Sequence, residues 1–148
     1  MVRIYLDVCC LNRPFDDQNQ DRIHLESEAV RIILKHVKIR EYEWIGSSVV
    51  EYEIQRTPDL DRRNKVLLLT QAVNKTVKLD ETDRTRVTEL SSLGFKAFDA
   101  LHVVCAEKAQ VDVLLTTDDK FLKKGIQNSD TLTVRIMNPV SWLQEVMR

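Results

Sequence analysis

A mainly parallel β-sheet covered by helices on both faces is the architecture this sequence predicts, on three observations. Short apolar runs alternate along the chain with segments of helical period, the pattern of successive βα units. The first run, VRIYLD (2–7), reads as a buried strand, as expected where helices cover both faces of a sheet. Three Gly and three Pro in 148 residues leave little material for linkers, so one domain spanning 1–148 is expected.

The elements follow in order. RIHLESEAVRIILKHV (22–37) reads as a long helix with Ile23, Ala29, Ile33 and Val37 near one face, completing a first βα unit. EWIGSS (43–48) is a second short strand and VVEYEIQR (49–56) the helix after it. TPDLDRRNKVLLLTQAV (57–73) is read as a further helix, with Thr57 as its cap and Pro58 at its first position. KTVKL (75–79) fits either a strand or an extended connection. DETDRTRVTELSSLG (80–94) has the acidic start and terminal glycine of a helix. FKAFDALHVVCAEKA (95–109) has helical spacing but is apolar nearly all round, so it is expected to be buried. VDVLLTT (111–117) is a strand, DDKFLKK (118–124) a short helix and LTVRIM (132–137) a strand. NPVSWLQEVM (138–147) closes the chain as a helix capped by Asn138, with Pro139 at its first position.

Composition narrows the functional classes. Hydrophobic residues make up 43% and charged residues 30%, the balance of a soluble globular protein. No apolar run approaches the length of a membrane helix, and the termini lack a charged-then-apolar signal segment, so a cytoplasmic protein is expected. The three cysteines, two of them adjacent at Cys9 and Cys10, form neither a CxxC pair nor an even-numbered framework, and are read as reduced, packed thiols.

The carboxylates are the chemistry-bearing residues. In the buried 95–109 helix, Asp99 lies beside Phe95, Val103 and Ala106, where an ionised group needs a hydrogen-bonding cap, a basic partner or a cation. Lys96 and His102, three residues to either side, are its local basic candidates. Asp7 and Asp118 each stand where a strand ends, the edge of an α/β sheet at which ligands bind. Taken singly, Asp7 also fits a turn start and Asp118 a helix cap. Glu51 and Glu53 project about 200° apart on a helix and cannot share a pocket. Glu53, on the face of Val49 and Val50, is the inward candidate. Four such acids would repel one another without a cation. Carboxylate oxygens without a Cys/His cluster favour Mg²⁺ or Mn²⁺ over structural zinc. Setting four acids aside from a net charge of −1 leaves +3 on the remainder, compatible with a polyanion beside an acidic pocket.

RIYLD, SSVVEYEI, FDALH and LLTTDDKF, in this order and spacing, resemble the four acidic motifs of PIN domain proteins, especially VapC-like toxins. The resemblance extends over nearly the whole chain and implies a PIN-like three-layer α/β sandwich. It assigns Asp7, Glu53, Asp99 and Asp118 to the catalytic centre, with Asp7, Asp99 and Asp118 as metal ligands and Glu53 binding metal or orienting the nucleophile. The TxDxxF pattern adds Thr116 and Phe121. One position departs: family members commonly carry Asn or Ser two residues after the first Asp, and this chain has Cys9. Asn12 is a candidate replacement. Arg13 is the first choice for phosphate contact, so Asn12, Arg13 and Thr116 form the expected substrate set. Lys96, Lys120, Lys123 and Lys124 are further candidates for phosphate contact but read chiefly as a solvated charged face, and His102 reads as an imidazole hydrogen-bonded inside the fold rather than a catalytic base.

The activity implied is Mg²⁺- or Mn²⁺-dependent hydrolysis of RNA, as the toxin of a type II toxin and antitoxin pair. A small antitoxin protein is the implied partner and a homodimer the expected assembly. An inactive PIN-like module that binds RNA or protein is the alternative, motivated by Cys9. A phosphatase of the haloacid dehalogenase type would need a DxDxT motif after the first strand, which DVCCL does not supply.

Overall fold

The computed structural model describes all 148 residues, Met1–Arg148. Five strands, β1 (Val2–Leu6), β2 (Tyr42–Ser47), β3 (Lys75–Val77), β4 (Val113–Leu115) and β5 (Arg135–Met137), form one sheet in the order β3-β2-β1-β4-β5. Every pairing is parallel, with Ile4 opposite Val113, Val2 opposite Tyr42 and Ile45 opposite Lys75. The central strands read as apolar runs because parallel sheets are covered on both faces. Ile4, Tyr5, Leu6, Val113, Leu114 and Leu115 are all buried.

Eight α-helices connect and cover the strands: α1 (Val8–Asn12), α2 (Asp21–Lys38), α3 (Ser48–Gln55), α4 (Leu60–Leu69), α5 (Arg84–Ser92), α6 (Ala97–Lys108), α7 (Asp119–Gln127) and α8 (Pro139–Val146). Helix α2 packs on β2 and α8, whereas α6 packs on β4, α3 and α5. Strand alternation serves both layers. Tyr5 reaches α6, while Ile4 and Leu6, of opposite parity, face the other way. Helix α6 is nearly as buried as its sequence demands, with Ala100, Val103, Val104, Cys105 and Ala106 all in the core.

Three local features differ from the sequence reading or resolve its alternatives. Thr57 does not cap the fourth helix. Asp59 does, accepting from the backbone of Asp61 (2.9 Å) and Arg62 (3.2 Å), and the helix begins at Leu60. A carboxylate two residues after Thr57 reaches the free N–H groups, and the Thr57 carbonyl is instead held by Arg63. Residues 8–15, outside the helices expected from sequence, form α1 and a 3₁₀ turn, Arg13–Phe15, with Pro14 in that turn. KTVKL resolves into the short edge strand β3. Gly94, at φ 99°, takes the left-handed conformation that ends α5, as its position suggests. The cysteines are free thiols, and no helix is long and apolar enough to cross a membrane.

The strand order places the site. The chain moves outward from β1 to β2 and β3, then returns to β4 on the other side of β1 and continues to β5. The direction of winding reverses between β1 and β4, and connections leaving such a pair in opposite directions open a crevice beyond the strands' carboxyl ends. Asp7 follows β1 there, and Thr116 and Asp118 follow β4.

Candidate active site

Asp7 is buried and held in one orientation. It caps α1, its Oδ1 accepting from the Val8 backbone at 2.7 Å. Its Oδ2 accepts from the Thr116 hydroxyl at 2.9 Å and from the Cys9 thiol at 3.3 Å. The Thr116 side chain also accepts from the Asp118 backbone at 3.1 Å, so one buried hydroxyl ties the ends of the two loops together. Thr116 therefore acts on Asp7 and the turn after β4, and its hydroxyl is turned inward.

Glu53 reaches the same crevice from α3. Ser47 ends β2 and caps that helix, its Oγ accepting from the Val50 backbone at 3.0 Å. Glu53 lies on the inward side, whereas Glu51 is exposed, as their angular separation requires. The Glu53 carboxylate accepts from His102 Nε2. The same nitrogen lies 3.4 Å from Asp7 Oδ1, so Asp7, Glu53 and His102 present ligand atoms within 4.8 Å of one another. On its other side, His102 Nδ1 meets the Tyr5 hydroxyl at 2.6 Å, which lies 2.7 Å from Ser47 Oγ. Because an ionised carboxylate only accepts, Nε2 carries the hydrogen that faces Glu53. Burial alone would lower the imidazole pKa. The hydrogen bond to Glu53 and the charges of Asp7, Glu53 and Asp99 outweigh that and raise it.

Asp99 occupies the first turn of α6, behind Lys96, which provides no side-chain cap. Burial, and then the charges of Asp7 and Asp118, push its carboxyl up to about 6, against smaller opposing effects of His102 and Lys96. Neither of those expected basic partners hydrogen-bonds it. Asp118 caps α7 through Oδ1, which accepts from Lys120 (2.9 Å) and Phe121 (3.3 Å), so Oδ2 takes no part in the cap. Capping and participation in the acidic centre are thus compatible for both Asp7 and Asp118.

The remaining expected residues stand differently. Cys9 Sγ lies 3.3 Å from Asp7 Oδ2 and 3.2 Å from Thr116 Oγ1, and accepts from the Thr117 backbone at 3.3 Å. The thiol thus fills the polar position itself. Asn12 does not replace it, because the Asn12 amide donates to the Val8 carbonyl at 3.1 Å. Arg13 is held by Glu26 (2.8 Å) and Asp16 (3.0 Å). Asn12 and Arg13 both line a groove that reaches Glu53. Sequence reasoning places His102 inside the fold but not at the junction of the acids. The available signal is its i, i+3 spacing from Asp99 together with Tyr5, a polar-tipped residue amid a buried strand.

A parallel α/β sheet with carboxylates converging at its switch point defines a protein with an acidic ligand centre. The chain belongs to the PIN domain family, whose model matches residues 4–126, a span containing all four acids. No curated protein matches the sequence significantly. Two solved structures share the fold. One is VapBC2 from Rickettsia felis bound to a DNA fragment from their promoter, with a TM-score of 0.58 and 13% identity over 93% of this chain and 98% of that one. The other is PAE2754 from Pyrobaculum aerophilum, with a TM-score of 0.55 and 18% identity over 96% of this chain and 86% of that one.

Proposed function

We propose that this PIN domain is a metal-dependent endoribonuclease and the toxin of a type II toxin and antitoxin pair. The observation that carries the nuclease reading is the gathering of Asp7 and Glu53 at the carboxyl edge of the sheet, with ligand atoms within 4.8 Å of one another and of His102, in a chain whose PIN match spans all four acids. The half-buried Asp99 carboxyl, raised by burial and by the charges of Asp7 and Asp118, fits the same reading, because a bound cation would remove that repulsion. The donor set is oxygen-rich, which suits Mg²⁺ or Mn²⁺. Asp7, Asp99 and Asp118 would hold the ion, directly or through water, with Glu53 as a further ligand or as the group that orients the attacking water.

A bound divalent ion supplies an activated water and neutralises charge on the attacked phosphate. The chain's own residues provide position. Thr116, Cys9 and the Val8 backbone fix Asp7, and His102 fixes Glu53. Hydrolysis adds water across a P–O bond, and the departing oxygen acquires a proton. Unpaired RNA reaches such a crowded pocket more readily than a duplex does, so single-stranded or looped RNA is the expected substrate. The VapC-like order of the four motifs supports the toxin role with a small antitoxin as partner, and a homodimer in a cytoplasmic setting is part of the same proposal.

The test is cleavage of a panel of single-stranded, hairpin and duplex RNAs by purified protein in Mg²⁺, Mn²⁺ or chelator, with Asp7→Asn prepared in parallel. Cleavage of unpaired RNA should require metal, and Asp7→Asn should lose at least about 100-fold, as expected for a group that both ligates and orders the centre. Equal cleavage by the variant, or by extensively chelated protein, contradicts the reading. RNA binding without cleavage in Mn²⁺ would favour the inactive module that Cys9 suggests.

A further inference from the structure

A second feature adjoins the acids. Lys96 from the start of α6 and Lys120, Lys123 and Lys124 from α7 line a cavity of about 300 Å³, with Asp99 at its border and no apolar side chain in its wall. None of the four ammonium groups is ion-paired. Lys124 donates only to the Leu93 carbonyl, at 3.4 Å, crossing Gly94 so closely that a Cβ there would stand 2.6 Å from its Nζ. In the groove beside Glu53 the basic side chains are engaged differently, Arg56 lying over the Tyr52 and Phe98 rings. Arg13 and Arg62 point into ion pairs with Glu26 and Asp16.

We propose that the lysine cavity is a subsite for a backbone phosphate of the polynucleotide, next to the phosphate being cut; this rests on the nuclease reading above. Four flexible ammonium groups with no carboxylate partner suit an anion whose oxygens point in several directions. No aromatic side chain lines the cavity, so a base finds no ring to stack on, and the contact is to backbone and independent of sequence. The border at Asp99 ties the cavity to the acidic centre, where isolated carboxylates would otherwise repel the same strand. The cavity thereby offsets, on one side, the repulsion between an anionic substrate and its cutting site.

The experiment compares wild type, Lys120→Ala/Lys123→Ala and the control Lys35→Ala/Lys38→Ala, which removes the same charge from exposed positions at the far end of α2. Binding of a short labelled single-stranded RNA is followed by fluorescence anisotropy in chelator over a salt series, and cleavage in Mn²⁺ is measured separately. The cavity pair should bind about tenfold more weakly, with a log–log salt slope shallower by about 0.7 for each phosphate no longer neutralised. Its KM should rise by a similar factor while kcat stays within about threefold. The control pair should match wild type. Undetectable wild-type binding, or equal loss in both pairs, overturns the subsite. Displacement of the RNA by polyglutamate at equal charge concentration would also overturn it, assigning the cavity to an acidic protein segment. Absence of cleavage with the binding difference intact would instead refute the nuclease reading and leave an RNA-binding cavity.

Discussion

The two halves of the acidic centre are built on different terms. Asp7 and Glu53 are held by hydrogen bonds, through Thr116 and Cys9 on one side and His102, Tyr5 and Ser47 on the other. Asp99 accepts no hydrogen bond from the protein and is perturbed by burial and then by its neighbours' charge, at the border of a cavity of unpaired lysines. The first half is organised before anything binds, and the second is poised to change when something does. Preorganised donors and acceptors incur no reorganisation cost during reaction. An under-satisfied carboxylate, by contrast, makes binding of a cation relieve an existing strain.

The largest expected effect that separates the halves is at Asp99. Asp99→Asn should lower cleavage about 100-fold or more, yet it should stabilise the metal-free protein near pH 7.5. The sign follows from linkage. A carboxyl whose folded pKa is raised to about 6 binds its proton more tightly when folded, so its stabilising contribution is complete below the unfolded value and disappears as pH rises through 6. Removing the charge should recover about 1 kcal/mol after allowance for solvent screening at a part-exposed carboxylate, or roughly 3 °C. Thermal melts in chelator from pH 4.5 to 8 would show wild type losing stability where the variant does not. An earlier melt for Asp99→Asn at every pH would make Asp99 a packing residue. Glu51→Gln, on the exposed side of α3, should change neither quantity.

A smaller effect is expected in the hydrogen-bonded half. His102→Asn places an amide near the former Nδ1 and abandons Glu53, whereas His102→Gln can reach Glu53 from the Nε2 position. The first should lose about 10- to 100-fold in kcat, as expected when a group orienting a ligand is removed, and about 1–3 kcal/mol of stability. The second should retain more activity. If both variants melt early and lose kcat alike, His102 is needed for packing and its bond to Glu53 carries no specific role.

The smallest effect should come from the departure in the first motif. Cys9→Ser substitutes a stronger, shorter-reaching hydrogen-bonding group for a thiol already near Asp7 and Thr116. Cleavage should stay within about threefold of wild type. A gain beyond tenfold would mean that the thiol impairs the centre.

Much of the molecule is legible along the chain. The all-parallel sheet follows from short apolar runs separated by helical ones, and Asp7 and Asp118 fall at strand ends because a strand's polar terminus is a local feature. Both cap a helix, and capping leaves a site role open, because a carboxylate has two oxygens and the cap uses one. The cap expected at Thr57 fails for a related reason. Thr57 and Asp59 both suit an N-cap, and which of them meets the free N–H groups depends on where α3 releases the chain.

Charge type is readable in sequence and charge availability is not. Arg13 and the four lysines look alike as basic residues near motifs. Arg13 is engaged by Glu26, 13 residues away on α2, while the lysines converge without an ion-pair partner. The same holds for His102, whose link to Glu53 joins helices 49 residues apart in sequence. Order of elements, periodicity and the inward face of α3 depend on neighbours within a few residues, so the sequence by itself determined them. Which carboxylate is satisfied, which cation is free and where an imidazole points depend on groups brought together only when α3, α6 and α7 close over the carboxyl ends of β1 and β4. Electrostatic and hydrogen-bond energies fall off with distance in space, not with separation along the chain, and only the tertiary structure decides those distances.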